Sequence, residues 1–328
     1  MRFNLKNKNV LITGGLGFIG SNLAIALVES GANVSLLDNL TPNQGGNLFN
    51  VYPIKNKIKI NYCDIRDSLA VNQIVKDKDF IFHLARQTDH ILSLKNPYVD
   101  IDVNIKGTTV LLEASRINNP GVKLIYIGTR GQYGKAVKLP VSESAATNPK
   151  GIYEVTNLAA EKIVKIYNDI HKIKSVMLRL TNVYGPRSQM KHDRYGVVNW
   201  FVRLAMDGEE IPVFGKGKLR RDFLYVDDAI SAIIKCAIKE VCYGEIINVG
   251  KDHGETFLGL VKEIIRASGS GSYKFAPFTP ERAGQEPGDF ISDISKIRKL
   301  TGWIPKTKIN EGLRKTVAFY KKNRKNYW

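Results

Sequence analysis

Asn9-Val10-Leu11-Ile12-Thr13-Gly14-Gly15-Leu16-Gly17-Phe18-Ile19-Gly20 is the stretch that decides the fold. Its apolar run, Val10 to Ile12, reads as a buried parallel strand. Glycines at 14, 17 and 20 then lead into a helical apolar pattern, with Leu23, Ala24, Leu27 and Val28 on one face. Strand, glycine turn and helix in that order make an anion site. Glycine removes the Cβ that would block a close approach, and the helix start offers unpaired N–H groups and the positive end of its dipole. The polarity pattern then repeats: strand-like and helix-like segments alternate through the first half of the chain, which argues for a parallel sheet covered on both faces.

A glycine triplet alone is a weak signal, so its surroundings matter. A second strand, Val34 to Leu37, runs into Asp38, which lies 18 positions beyond Gly20. A carboxylate there accepts hydrogen bonds from both ribose hydroxyls and repels a 2′-phosphate. The reading is a dinucleotide site for NAD rather than NADP, built on Gly14, Gly17, Phe18, Ile19, Gly20, Asp38 and Asn39.

The chain has 328 residues, enough for one large or two modest domains with a substantial core. No run of about 18 apolar residues is present, so no membrane span is expected, and the N-terminal residues lack the apolar core of a signal peptide. Cys63, Cys236 and Cys242 have no histidines spaced to complete a metal site; they read as reduced, packed thiols in a cytoplasmic protein. The formal charge of +18 comes from scattered lysines with no nucleic-acid motif beside them, and it suits an anionic nucleotide substrate. His83 sits in a strand pattern and reads as a packed residue, not a catalyst. Asp227 and Asp228 read as caps of a helix from Ala229 to Ile238, and no bound metal is expected.

The G-x-x-G-x-x-G spacing, Asp38 and the motifs that follow resemble the extended short-chain dehydrogenase/reductase family, in particular its NAD-dependent nucleotide-sugar epimerases and dehydratases. The similarity runs through nearly the whole chain. It implies an α/β fold, a Rossmann-like doubly wound parallel sheet with a smaller C-terminal substrate-binding α/β domain. Residues 1–180 would form the NAD domain, with a return segment near 223–250, and 181–328 mainly the nucleotide-sugar domain. In that family the residues matching Asp64 and Ile65 read the adenine edge, those matching Leu84 and Ala85 close on the cofactor, and Asn104 supports the active-site backbone. Asp64 is equally suited to capping a helix. Arg86 and Gln87 would face the substrate. Thr129, four residues ahead of Tyr133-Gly134, matches the catalytic hydroxyl. Arg130-Gly131 stands where many 4,6-dehydratases carry Asp-Glu, which counts against that reaction.

Tyr153 and position 157 lie four apart on one helix face. The family signature there is Tyr-x-x-x-Lys. The lysine binds the nicotinamide ribose and lowers the tyrosine pKa, so that tyrosinate can take the proton of a sugar hydroxyl. Here the residue is Asn157, which can hydrogen-bond a ribose but carries no charge. Three readings stay open: an enzyme tuned by the nicotinamide ring or by Lys150, Lys162 or Arg130; a protein that binds cofactor and sugar without turnover; or a variant in which the lysine was replaced. Thr181-Asn182-Val183-Tyr184-Gly185-Pro186-Arg187 resembles another family motif, implying substrate contact by Asn182 and, for Arg187, either a reach to phosphate among the substrate-binding residues or a structural role. Arg221 and Arg282 would clamp the diphosphate. The implied activity is epimerisation of a nucleotide diphosphate sugar through a transient keto sugar, closest to the CDP-tyvelose and UDP-glucose types. A dehydratase, decarboxylase or reductase, or a non-catalytic binder, is the alternative. The family also implies a homodimer through helices after Asn96 and from Tyr153.

Overall fold

The computed structural model describes residues 5–278, 284 and 286–328. Alternate residues of the first strand, β1 (Asn9–Thr13), point to opposite faces, and both faces are covered. Val10 and Ile12 pack into one core with Leu23 and Leu27, while Leu11 packs into the other with Ile81 and Leu111. A strand buried on both sides favours apolar residues at successive positions, which explains the run Val10 to Ile12.

Seven strands form the central sheet. β2 (Asn33–Asp38), β3 (Ile58–Tyr62), β4 (Phe80–His83), β5 (Lys123–Thr129), β6 (Ser175–Leu180) and Ile246–Val249 join β1 in the order Ile246–Val249, β6, β5, β4, β1, β2, β3. All of its pairings are parallel. The order reverses between β1 and β4, and a doubly wound sheet opens its binding crevice at the carboxyl ends of the strands flanking such a switch. Short pairs make up the rest: Asn182–Tyr184 with Phe223–Tyr225, Glu210–Phe214 with Ser272–Ala276, and Arg220–Arg221 with Glu255–Thr256. Among the described residues, no helix is long and apolar enough to cross a membrane.

Several local expectations shift. The helix near Asp227 begins at Val226, so both acids lie in its first turn and neither caps it. They still favour the positive helix end. Asp228 accepts the backbone N–H groups of Lys306 and Thr307 at 3.1 and 2.8 Å, pinning a distant segment instead. The helix Ser68–Ile74 is capped by Asp67 rather than Asp64. Strand β4 stops at His83, two residues short of Ala85, because the N–H groups of Leu84 and Ala85 turn onto the Thr13 hydroxyl. His83 is fully buried between the hydroxyls of Thr13 and Thr108, at 2.8 and 2.9 Å. Trp303 is core.

Candidate functional site

A single cleft of about 910 Å³ runs from the glycine turn, past the ends of β1, β4 and β5, to the short-stranded region. Its first wall is backbone. Gly14 has φ +69°, and a Cβ there would sit 2.8 Å from the Ala85 nitrogen; a Cβ on Gly20 would collide with the Gly14 carbonyl. These glycines let the turn, β4's exit and the helix α1 (Phe18–Glu29) close on one another. Gly17 caps α1 with no side-chain bond, so the helix's first N–H groups are left for an anion. Phe18 and Ile19 line the same wall.

Asp38 stands beside the turn. Its oxygens accept the N–H groups of Leu16 and Leu40 at 3.0 and 2.9 Å. Burial pushes its pKa up and those two bonds pull it back. A carboxylate accepts about four hydrogen bonds, so capacity remains for a diol. Asn39 donates to Asp64 at 3.0 Å, and Arg66 grips Asp64 with two N–H groups at 2.8 Å. The Arg66 bonds are the main reason Asp64 falls to a pKa of about 2. Asn39, Asp64, Ile65, Leu84 and Ala85 all face the cleft. A glycine turn that admits no Cβ, an open helix end and a fixed carboxylate with acceptor capacity to spare fit a dinucleotide.

The deeper wall carries Thr129 and Tyr153. β5 delivers Thr129, whose hydroxyl accepts the Gly131 N–H at 3.1 Å. The helix Ile152–His171 delivers Tyr153 near its start. Burial pushes the Tyr153 phenol up to about 12; Arg86 and the Thr129 hydroxyl pull it down, while Glu154 and Asp100 push it further up. Arg86, Gln87, Asn182 and Arg221 also line the cleft. Gln87 has its amide tied to Asp89, Ser93 and Asp100, so it braces the wall. Asn182 accepts from Arg130 at 2.9 Å. Arg221, nearly fully buried, is ion-paired with Glu286.

Three of the expected site residues are not on the cleft wall. Asn157 is fully buried; its Nδ2 donates back to the Tyr153 carbonyl at 2.8 Å, and its Oδ1 has no partner. The short amide folds onto its own helix instead of reaching outward. Asn104 sits in a π-helical stretch, Ile101–Lys106, and its Oδ1 accepts the Gln87 N–H at 3.0 Å, so it acts behind the wall. Arg187 turns away, donating to Asn22 at 2.9 Å and to the Asn50 carbonyl at 3.2 Å, with its guanidinium 5.2 Å from the Phe319 ring centre. Arg282 lies outside the described residues.

Other residues of the site escaped the sequence reading. Glu154 faces the cleft beside Tyr153 and pairs with His90 at 3.1 Å; the His90 ring meets the Tyr153 ring at 4.6 Å between centres. Their signal was local: Glu154 is adjacent to the tyrosine, and His90 opens the helix capped by Asp89. Arg194 and Tyr195 come from the polar run after Arg187. Arg194 pairs with Asp89 at 3.2 Å.

Comparison with known proteins follows the same lines. The chain is similar to the UDP-glucose 4-epimerase of Thermotoga maritima, solved with UDP-glucose, at 32% identity and a TM-score of 0.86, over 96% of this chain and 99% of that one. The UDP-glucose 4-epimerase of Thermus thermophilus, solved with NAD, is 30% identical with a TM-score of 0.85, over 95% and 99% of the two chains. A dTDP-D-glucose 4,6-dehydratase of Mus musculus is 32% identical over 98% of this chain and 90% of its own length. The family model for "NAD dependent epimerase/dehydratase family" matches residues 10–250. That match spans the glycine turn, Asp38 and Tyr153, and with it the chain belongs to the NAD-dependent epimerase/dehydratase family.

Proposed function

We propose that the protein epimerises a nucleotide diphosphate sugar, with NAD held in the cleft as a resident cofactor. The observation that carries the reading is that Thr129 and Tyr153 line the same cleft as the glycine turn, with Arg86 and Arg221 on its wall. NAD supplies a hydride acceptor that returns what it takes. Tyr153 removes the proton of the sugar hydroxyl being oxidised, and Thr129 holds that oxygen. Asp38 and the open start of α1 fix the ribose and pyrophosphate of the cofactor. Arg221 faces the sugar diphosphate, exchanging its pairing with Glu286 for phosphate oxygens; Arg194 and Lys150 add positive charge to the same wall. The keto sugar turns over within the cleft, and the proton on Tyr153 goes back to the new hydroxyl.

One observation favours a second reading, a dehydratase. A Cβ at Gly131 would run into the Glu154 side chain, at 2.6 Å from its Cγ. Glu154 thus fills space over the position where a dehydratase carries its glutamate, and it is paired with His90, a proton carrier. Incubation with UDP-, dTDP-, CDP- and GDP-linked hexoses, followed by proton NMR, separates the two. An epimer at constant mass supports epimerisation; a 4-keto-6-deoxy sugar, lighter by one water, overturns it in favour of dehydration.

A cytoplasmic homodimer completes the proposal. Leu94, Tyr98 and Ile101 on the helical run after Asp89, and Val155, Ile166 and Ile170 on the tyrosine helix, are exposed apolar residues. A second copy laying the same two segments against them would bury that surface. Sedimentation velocity checks it: a single species at dimer mass is the expected result.

A further inference from the structure

Tyr153 needs a cation, and Asn157 does not provide one. The charges and donors that act on the phenol are Arg86, Glu154, the Thr129 hydroxyl and Asp100, and the His90 ring lies 4.6 Å from its ring between centres. Two of these are carboxyls that oppose ionisation. His90 has its Nδ1 engaged by Glu154. The other cations of the region are committed elsewhere: Arg130 donates to Asn182 and stacks on Phe290, Lys150 donates to the Glu286 carbonyl at 3.2 Å, and Lys162 is exposed on the outer side of its helix.

Arg86 is held differently. Its Nε donates to the Ile127 carbonyl at 3.1 Å, and its Nη1 donates to the Tyr126 hydroxyl at 2.9 Å. Its guanidinium lies 4.0 Å from the Tyr126 ring centre. The Tyr126 hydroxyl in turn donates to the Asn157 carbonyl at 2.6 Å. Two hydrogen bonds therefore tie the guanidinium to the backbone of residue 157. No carboxylate pairs with Arg86 among the described residues, and its Nη2 is buried without an acceptor. The positive charge is fixed, half-buried and uncancelled, where Coulomb interactions are weakly screened.

We propose that Arg86 is the positioning cation for Tyr153 in this chain, braced by Tyr126 and supplying from β4's exit the charge that residue 157 lacks. The inference rests on Tyr153 being the base of the proposed reaction. Arg86 acts by stabilising the tyrosinate and takes no proton itself, since guanidinium stays charged throughout the working pH range. The charge has moved from the tyrosine's own helix to a neighbouring loop, with Tyr126 as the strut between them.

The test reads the tyrosine directly. A trifluorinated tyrosine placed at 153, whose phenol ionises in an accessible pH range, is titrated by fluorine NMR in the full chain without substrate. Arg86→Gln keeps donors for Ile127 and Tyr126 but removes the charge; the ionisation midpoint is expected to rise by about one pH unit, a tenfold loss of tyrosinate at fixed pH. Arg86→Lys is expected to restore most of the shift, and so is Asn157→Lys added to Arg86→Gln. A midpoint that moves by less than about half a unit in Arg86→Gln, or an Arg86→Lys protein that titrates like Arg86→Gln, overturns the proposal. Turnover of the nucleotide-sugar panel is measured alongside. If no variant converts any sugar, the epimerase reading falls, while the fluorine titration still decides whether Arg86 serves Tyr153. A variant that does not fold is replaced by the Arg86→Gln/Asn157→Lys pair, whose midpoint must match the parent's.

Discussion

The glycine turn and the tyrosine pocket face each other across one cleft, and they are built by opposite means. The turn is contiguous: Gly14 to Gly20 does its work with backbone, and a Cβ at 14 or 20 has nowhere to go. The pocket is assembled from β5, β4's exit loop, the π-helical stretch and the tyrosine helix. A contiguous backbone site has one solution, so its residues cannot be relocated. A dispersed side-chain site has several, because a charge can reach the same point from another element. On the proposal above, that is how Asn157 can stand in the helix while Arg86, tied through Tyr126 to the backbone of residue 157, supplies the charge.

The sharpest way to break this contrast is Tyr153→Phe. A dispersed pocket shares out positioning but not the proton transfer, so turnover should fall by about 10²–10⁴-fold. NAD affinity, measured by calorimetry, should change little. A variant with near-parental turnover would remove Tyr153 from the chemistry.

Next in size is the buried ion pair behind the pocket. Arg179 and Glu161 meet at 2.6 and 2.8 Å with almost no exposure, and Gln132 donates to the same carboxylate at 2.9 Å. Glu161 lies on the tyrosine helix, so this pair anchors that helix to β6. Arg179→Met would leave a buried carboxylate with only Gln132, costing about 3–5 kcal/mol of stability. The urea midpoint should drop accordingly. An unchanged midpoint would mean that the pocket's elements are held by apolar packing alone.

Asp38→Ala tests the other wall. It removes the proposed ribose acceptor and also frees the N–H groups of Leu16 and Leu40. Hydrogen bonds to a charged group are worth about 1.5–3 kcal/mol, so NAD affinity should weaken about 10–150-fold, and the preference over NADP should narrow. Unaltered affinity would shift the anchoring role wholly to the glycines.

The contrast also explains what the sequence makes legible. The parallel sheet follows from the alternation of strand-like and helix-like segments, and the glycine-turn wall from patterns within about 40 residues: a strand, three glycines, a helix, a strand and an acid. The packing of His83 follows from its flanking apolar residues in the strand pattern. The pocket is less readable because its partners are far apart in the chain. Nothing near Arg86 announces that it will meet Tyr126, 40 positions on, or that Tyr126 will reach Asn157. The same holds for Arg187, whose motif leaves a phosphate contact and a structural role open, and which the fold uses to join α1 to the helix Ile309–Asn323 through Asn22 and Phe319. The acids at 227 and 228 look like caps because they precede an apolar run, but the helix starts one residue earlier than the acids.

The smallest expected effect lies under the cofactor wall. His83 is buried between two hydroxyls, and desolvation first, then Arg86, holds its pKa well below the ordinary 6.5. The folded protein therefore keeps a neutral ring as the pH falls through 6.5, while the unfolded chain takes up a proton. The unfolded state binds more protons in that window, so stability is full above about pH 6.5 and is lost toward lower pH, by at most about 1.4 kcal/mol per unit from this residue. His83→Gln can still bond both hydroxyls and has no proton to gain. Its stability, from urea unfolding between pH 7 and 5, should fall less steeply than the parent's. Parallel curves would mean that the imidazole is charged in the fold. In that case the Thr13 hydroxyl would accept from the ring, and the turn would hold the N–H groups of Leu84 and Ala85 by a different arrangement from the one seen here.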